Sequence, residues 1–128
     1  MGGLRYAVER VNNGRGAMAK MMAISVRQPW ANMIASGEKT IETRVWGTDY
    51  RGPLLIVSSK NPPIAPVGFA LAICNLIECR PMIKTDEFAA KCQIYPGAYS
   101  WIFNTTERVL EPFPVKGRLG IFAVEVPW

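Results

Sequence analysis

The segment at residues 24–51 constrains the fold most strongly, because its hydrophobic periodicity changes twice over a short length. It opens with a short apolar run that is typical of a strand. Trp30, Met33 and Ile34 then repeat at helical spacing, and Gly37 follows as the left-handed residue at which many helices end. A second strand begins directly after this glycine. The segment therefore predicts a strand, a short helix and a strand with tight connections.

The second predicted strand runs from Lys39 to Val45 and alternates in polarity. Successive side chains of a strand point to opposite faces, so Glu42 and Arg44 share one face while Ile41 and Val45 share the other. From spacing alone, the charged residues fit either a solvent-exposed salt-bridge network or the polar lining of a cleft.

Most of the remaining sequence consists of strand-length apolar runs separated by turn residues. A second short helix is predicted after Thr85, with acidic residues in its first turn. A bulge is predicted near Asn75. The other predicted strands cover residues 22–26, 53–59, 68–79, 99–110 and 119–126. Five to six strands with two short helices predict a mainly β (α+β) domain that forms a small, closed or partly closed barrel.

Length and composition point to one globular domain. The chain has 128 residues, of which 49% are hydrophobic and 20% are charged. No apolar run approaches the length of a membrane span, and no signal-peptide pattern opens the sequence. We therefore expect an intracellular, cytoplasmic protein without a membrane partner.

The positive charge is concentrated near the N-terminus. Residues 1–22 hold four basic residues against one acidic residue, and so contribute +3 to a net charge of +5. We predict residues 1–21 to be a basic extension, with a short helix over 4–11 and a flexible break at 12–16. Residues 22–128 are the predicted domain. This charge permits a nucleic-acid partner without requiring one.

The sequence has no histidine, which removes several kinds of chemistry. Ser-His-Asp and Cys-His catalysis and His-ligated metals are excluded. The three cysteines, Cys74, Cys79 and Cys92, include no CxxC pair. We expect no metal site and no cofactor, and we expect Cys74 and Cys79 to be buried as small hydrophobic residues. Any general base must be a carboxylate or a lysine.

Three motifs together resemble one known family. The helix start RQPWA, the segment GEKTIETR and the later PFPVKG closely resemble the ASCH (ASC-1 homology) domain. The family hallmark GxKxxExR is met at Gly37, Lys39, Glu42 and Arg44. The resemblance covers residues 22–126. It implies a PUA-like β-barrel with a cleft where the lysine, glutamate and arginine meet, and a partner that is RNA or another single-stranded nucleic acid, or a modified nucleoside.

The resemblance makes the motif residues the first candidates for ligand binding. Arg44 offers a planar fork of donors for a phosphate or a guanine edge. Lys39 offers a point charge for a phosphate. Glu42 either holds these cations in place or accepts a hydrogen bond from an exocyclic amine such as that of cytosine.

Further candidates lie close to the motif in sequence. Gln28 either contacts the ligand or satisfies the backbone at the helix start. Trp46 and Tyr50 either stack on a base or pack internally, and Arg51 extends the basic rim. Trp30 and Trp101 are expected to pack in the core. Weaker candidates are the remaining cations Arg27, Lys60, Lys116 and Arg118.

The family resemblance also implies an alternative function. Some small bacterial members are amidohydrolases that remove an acetyl group from N4-acetylcytidine with a lysine, a threonine and a glutamate. Lys39 matches the lysine, but the position of the threonine holds Glu42. An amidohydrolase acting on N4-acylated cytidine nucleosides would therefore use Lys39 and Glu42 as its catalytic residues. The sequence leaves open whether the protein is an enzyme.

Overall fold

Strands dominate the residues that the computed structural model describes, which are 9–12 and 17–128. The strands are β1 (Glu9–Asn12), β2 (Ala17–Val26), β3 (Ile41–Arg44), β4 (Gly52–Ser58), β5 (Phe69–Pro81), β6 (Tyr99–Pro114) and β7 (Ile121–Val126). The helices are α1 (Trp30–Ala35) and α2 (Glu87–Ala90), with a 3₁₀ turn at Lys84–Asp86 directly before α2. The predicted mainly β fold with two short helices is confirmed.

The strands form one mixed sheet in the order β1-β2-β4-β5-β6-β3, and β7 also pairs with β2. β2 and β4 are parallel, and the other recorded pairs are antiparallel. The register of β5 against β6 shifts on both sides of Asn75, where a bulge was predicted. Over the described residues, β3 pairs with β6 alone, so the sheet is not closed by hydrogen bonds between its end strands.

The N-terminal half of β2 belongs to the sheet. The strand begins at Ala17, and the predicted start at Met22 was too late. β7 pairs with β2 from Ala19 onward, which buries Ala19 completely. Glu9–Asn12 is a strand, so the predicted helix over residues 4–11 is wrong at residues 9–11, and the first residue of the predicted break at 12–16 belongs to this strand. Residues 1–8 and 13–16 lie outside the described part of the chain.

Two hydrophobic clusters lie on the two faces of the central strands. Leu54 and Ile56 of β4 belong to the first cluster, which also contains the buried face of α1. Leu55 and Val57 of the same strand belong to the second. A strand that is buried on both faces needs apolar residues at every position, which explains the continuous run in β4. Cys74 is buried in the first cluster as predicted, and burial raises its pKa to about 12.

The end of α1 sets the position of the candidate site. Gly37 has the predicted left-handed conformation, with a φ of +84°, and it ends the helix. The backbone N–H of Lys39 then donates to the carbonyl of Met33 at 3.0 Å, and this bond ties Lys39 to the helix. β3 begins two residues later at Ile41.

A third, smaller cluster holds the segment at residues 82–98 against β3. Ile41 of β3 packs there with Met82, Ala90 and Ala98. The backbone N–H of Thr40 donates to the carbonyl of Ala89 at 3.0 Å. This segment, which contains α2, thus forms a wall beside β3 although it is distant in sequence.

Asp86 anchors the same segment to the sheet. Its carboxylate accepts two hydrogen bonds from the guanidinium of Arg80, at 2.8 and 2.9 Å, and one from the Ser100 hydroxyl at 2.8 Å. It also accepts from the backbone N–H of Ile83 at 3.0 Å. Thr85 was predicted to cap the helix, but neither the 3₁₀ turn nor α2 has a side-chain capping bond, and Asp86 instead accepts from the backbone N–H at the start of the 3₁₀ turn.

We expect Asp86→Asn to lower the free energy of unfolding by about 2 kcal/mol at pH 7, because bonds to a charged partner are lost. The hydrogen bonds from Arg80 hold the pKa of Asp86 well below its usual range. The ionised form therefore stabilises the fold above the ordinary aspartate pKa of about 3.9, and this contribution is lost as pH falls from there through the folded pKa. Urea unfolding at several pH values measures the effect.

The difference between wild type and Asp86→Asn should shrink on acidification below about pH 4. Asp49→Asn is the matched control, because Asp49 is exposed, and it should change stability little at either pH. An equal difference for Asp86→Asn at pH 3 and pH 7 would show that the ionised carboxylate is not what anchors the segment.

Candidate functional site

A cavity of about 310 Å³ opens between β3, the start of α1 and the segment after α2. Its volume is at the lower end of the range for small-molecule sites. The lining residues are Val26, Arg27, Trp30, Lys39, Glu42, Thr43, Arg44, Cys92 and Tyr95. Three cations and one carboxylate are among them, so the lining is positively charged overall.

Lys39 is the most buried of the charged residues that line this cavity. It is only 1% exposed, and its ammonium donates a hydrogen bond to the carbonyl of Ala90 at the end of α2. A lysine on the last carbonyls of a helix is favourable, because these groups have no partner within the helix. Its Nζ also lies 3.7 Å from Oε1 of Glu42. Burial lowers the pKa of Lys39, and the charge of Glu42 opposes this effect.

Glu42 lies between two cations. It is 7% exposed, and its Oε2 accepts a hydrogen bond from Nε of Arg44 at 2.8 Å. Glu42 and Arg44 therefore share one face of β3, as the strand alternation predicted. The alternative of a solvent-exposed salt-bridge network is wrong, because Lys39 and Glu42 are both buried.

Arg44 is the motif residue that remains open to a ligand. Its side chain is 22% exposed, and its Nη2 donates to the carbonyl of Ser25 on β2 at 2.6 Å. These bonds fix the plane of the guanidinium. Nη1 has no recorded partner within the described part of the chain. The group is thus held in place with donor capacity left for acceptors such as phosphate or carbonyl oxygens.

Trp30 supplies an aromatic surface to the cavity. It is 36% exposed and belongs to the lining, so the expectation that it packs in the core is wrong. The short helix instead buries Ala31, Ile34 and Ala35. Trp101, by contrast, is fully buried in the first hydrophobic cluster, as expected.

The segment after α2 completes the cavity with Cys92 and Tyr95, which were not predicted from the sequence. The Cys92 thiol lies 3.7 Å from the hydroxyl of Thr43 on β3. Tyr95 is half-buried. The Tyr-Pro-Gly turn indicates a change of chain direction, but no local pattern links it to β3. Only the tertiary packing brings these residues to the motif.

The family model described as ASCH domain matches residues 24–114, which is most of the chain. The chain belongs to the ASCH domain family. In this ASCH domain, the hallmark lysine, glutamate and arginine are the connected, cavity-lining residues Lys39, Glu42 and Arg44.

Two curated relatives are similar to this ASCH domain in sequence. It is 24% identical over 127 residues to Activating signal cointegrator 1 from Homo sapiens and to the protein of the same name from Mus musculus. Each match covers 80% of this chain but 22% of the relative. The chain therefore spans about a fifth of the length of these relatives.

Solved ASCH structures share the fold. The crystal structure of ASCH from Zymomonas mobilis superposes with a TM-score of 0.64 at 15% identity, covering 80% of this chain and 86% of that chain. A mutant of the Zymomonas mobilis protein gives a TM-score of 0.56 at 12% identity, covering 80% and 87%. At these identities, the likeness concerns the fold alone.

Four other predicted ligand-binding residues lie outside the lining of the cavity. Gln28 is 1% exposed and bonded within the protein: its Oε1 accepts from the backbone N–H of Asn32, and its Nε2 donates to the carbonyl of Pro66. It thus satisfies the backbone at the start of α1, which was the second of its two predicted roles.

Trp46 and Tyr50 pack against the first hydrophobic cluster of this ASCH domain. The ring of Trp46 makes an edge contact with Trp101 at 4.9 Å between centroids. The Tyr50 hydroxyl donates to the carbonyl of Pro53. Arg51 is exposed, and its guanidinium donates to neighbouring carbonyls in the same turn. The structure therefore does not bring these residues to the cavity.

Two further observations limit the kinds of site in the described part of this ASCH domain. No three of its His, Cys, Asp or Glu side chains are grouped as ligands of a metal ion would be. None of its helices has the length and apolar character needed to cross a membrane.

Proposed function

We propose that this ASCH domain binds single-stranded nucleic acid, with RNA as the favoured partner, by accepting one nucleotide in the cavity. The observation that carries the proposal is the connected group of buried Lys39, buried Glu42 and partly exposed Arg44 in a positively charged cavity that Trp30 borders. Single-stranded RNA is recognised in this way, because its bases leave the stack and meet aromatic and arginine side chains.

The size of the cavity favours a single nucleotide over a duplex. A volume of about 310 Å³ suits a small ligand. Stacking on Trp30 would hold the base, while the fixed guanidinium of Arg44 meets its carbonyl groups or the adjacent phosphate. The family resemblance agrees, because relatives of the same barrel bind RNA or modified bases.

The charges of the motif fit binding better than catalysis. The ammonium of Lys39 donates to Ala90 and lies beside the carboxylate of Glu42. Both interactions favour the protonated form of lysine, which is not a nucleophile, and they oppose the lowering of the pKa of Lys39 by burial. Glu42 in turn lies between two cations and holds both of them in place. The three motif side chains therefore present fixed charges to a ligand.

We expect Trp30→Ala to weaken the binding of a fluorescein-labelled, single-stranded RNA 10-mer about tenfold or more, because base stacking contributes about 1–3 kcal/mol. Fluorescence anisotropy measures the affinity. Phe88→Ala is the matched control, since Phe88 is 83% exposed and is not part of the cavity lining. Equal affinities of Trp30→Ala and wild type would place the base elsewhere.

A second candidate function is hydrolysis of an N4-acylated cytidine. It is favoured by one observation, that the Lys39 ammonium and the Glu42 carboxylate line the same cavity with 3.7 Å between Nζ and Oε1. In this reaction, Glu42 would take a proton from water, which attacks the acyl carbon. The C–N bond breaks, and the amine nitrogen of cytidine receives the proton. Lys39 would stabilise the negative charge on the acyl oxygen.

Incubation with N4-acetylcytidine decides between the two functions. Proton NMR detects released acetate directly, and Lys39→Met and Glu42→Gln are the variants to compare. Acetate release that both substitutions abolish would establish the hydrolase. If wild type releases no acetate but binds the RNA 10-mer, the binding function stands alone.

A further inference from the structure

Four exposed cations that have no carboxylate partner among the described residues are Arg27, Lys60, Lys116 and Arg118. The other described cations include several that are paired, such as Arg80 with Asp86 and Lys84 with Glu87. Unpaired surface cations are individually common. These four matter because the fold brings them to one edge of the sheet.

Arg27 and Lys60 lie just after the ends of two neighbouring strands. β2 and β4 are parallel neighbours, with Val26 opposite Ser58, so their carboxyl ends meet at the same edge. The backbone N–H of Ser59 donates to the carbonyl of Val26 at 2.8 Å, which continues this pairing to the residue before Lys60. Arg27 directly follows Val26 and lines the cavity.

The loop that contains Lys116 and Arg118 lies against the same edge. The backbone N–H of Val115 donates to the carbonyl of Gly68 at 2.9 Å. The Lys60 side chain covers Gly68, where an added Cβ would lie 3.2 Å from the lysine Cε. Lys60 is therefore next to the start of this loop.

The same loop contacts Ser25, the residue whose carbonyl accepts a hydrogen bond from Arg44. A Cβ at Gly117 would lie 3.2 Å from the Ser25 hydroxyl, so glycine allows the backbone to approach β2 closely. The carbonyl of this same Ser25 accepts from Nη2 of Arg44. Gly117 lies between Lys116 and Arg118, so both cations flank the contact that joins the loop to the rim of the cavity.

We propose that Arg27, Lys60, Lys116 and Arg118 form a phosphate-binding track for the strand whose nucleotide enters the cavity. This inference rests on the proposed function and adds to it that the ligand is an oligonucleotide rather than a free nucleoside. Lysine and arginine that neutralise phosphates release counterions, so the affinity should fall steeply as salt concentration rises. A free nucleoside has no flanking phosphates, so the track should not raise its affinity.

The test uses the triple variant K60Q/K116Q/R118Q and leaves the cavity-lining Arg27 intact. We expect it to bind a single-stranded RNA 10-mer about tenfold more weakly than wild type at low salt. The slope of log affinity against log salt concentration should decrease by about 2, at about 0.7 for each phosphate contact on a single strand. Its affinity for nucleoside 5′-monophosphates should equal that of wild type.

The matched control is R51Q/K84Q/R108Q, which removes the same charge from exposed positions outside the track. We expect it to keep the wild-type salt slope. If both triple variants weaken binding equally, a general charge effect explains the result and the track is overturned. Should K60Q/K116Q/R118Q melt early, K116Q/R118Q replaces it, with an expected slope change of about 1.4.

The outcomes separate this inference from the proposed function. Weakening by Trp30→Ala combined with wild-type binding by K60Q/K116Q/R118Q would overturn the track and leave the cavity in place. If wild type itself does not bind the 10-mer, both are overturned. Loss of 10-mer affinity and salt slope in the track variant alone supports the track.

Discussion

Glu42→Ala is expected to lower the free energy of unfolding by about 3–5 kcal/mol, the range for breaking a buried ion pair by removing one partner. The substitution leaves the ammonium of Lys39, which is 1% exposed, without its carboxylate neighbour. It also removes the acceptor that holds Nε of Arg44. Urea denaturation followed by circular dichroism measures the loss.

The same substitution in a Lys39→Met background provides the control. Without a buried ammonium at position 39, the loss of Glu42 should be less costly, because one cation fewer is left uncompensated. A coupling free energy of about 1 kcal/mol or more is expected for residues in one ion-pair network. Additive effects of the two changes would mean that Lys39 and Glu42 do not stabilise each other.

Arg44→Ala is expected to weaken binding of the RNA 10-mer by about 30-fold or more, because truncating a hydrogen-bonded charge at an interface costs about 2–5 kcal/mol. Stability should fall by only about 1 kcal/mol, because the side chain is partly exposed and Glu42 keeps Lys39 as a partner. Anisotropy titration and urea denaturation of the same preparation separate the two effects.

Two further variants sharpen this prediction. Arg44→Lys keeps the charge but loses the planar fork, so it should recover only part of the affinity. Arg51→Ala removes an arginine that the structure places outside the cavity lining, and it should bind as wild type does. The account fails if Arg51→Ala reduces affinity as much as Arg44→Ala.

Local patterns predicted most of the fold because each element has its own periodicity. The helical spacing from Trp30 and the glycine at position 37 located α1, and period-two alternation located β3. β1 and the first half of β2 were missed, because β2 is held there by its pairing with β7, at the other end of the chain. Such pairing leaves no local signal in the sequence.

The sequence predicted the site residues that belong to the family motif, and it predicted the other lining residues less well. Lys39, Glu42 and Arg44 line the cavity, but burial of Lys39 depends on Ala90, which is 51 positions away. Spacing within a strand shows which side chains share a face, but not which other segment covers that face. Cys92 and Tyr95 were missed for this reason.

Several candidates that lie close to the motif in sequence do not lie in the cavity. Trp46 and Tyr50 follow β3 closely, yet β3 ends at Arg44 and the chain then turns onto the hydrophobic core. A large aromatic residue in a turn packs against whatever apolar surface lies below it, and here that surface includes Trp101.

The most direct test of nucleotide binding in the cavity is an NMR titration of the protein with the single-stranded RNA 10-mer. The signals to follow are the indole N–H of Trp30, the Nε–H of Arg44 and the backbone amides of Cys92 and Tyr95, which all belong to the cavity lining. If a nucleotide enters the cavity, these signals shift together and saturate with one affinity. Shifts confined to the turn around Arg51, with the Nε–H of Arg44 unchanged, would contradict it.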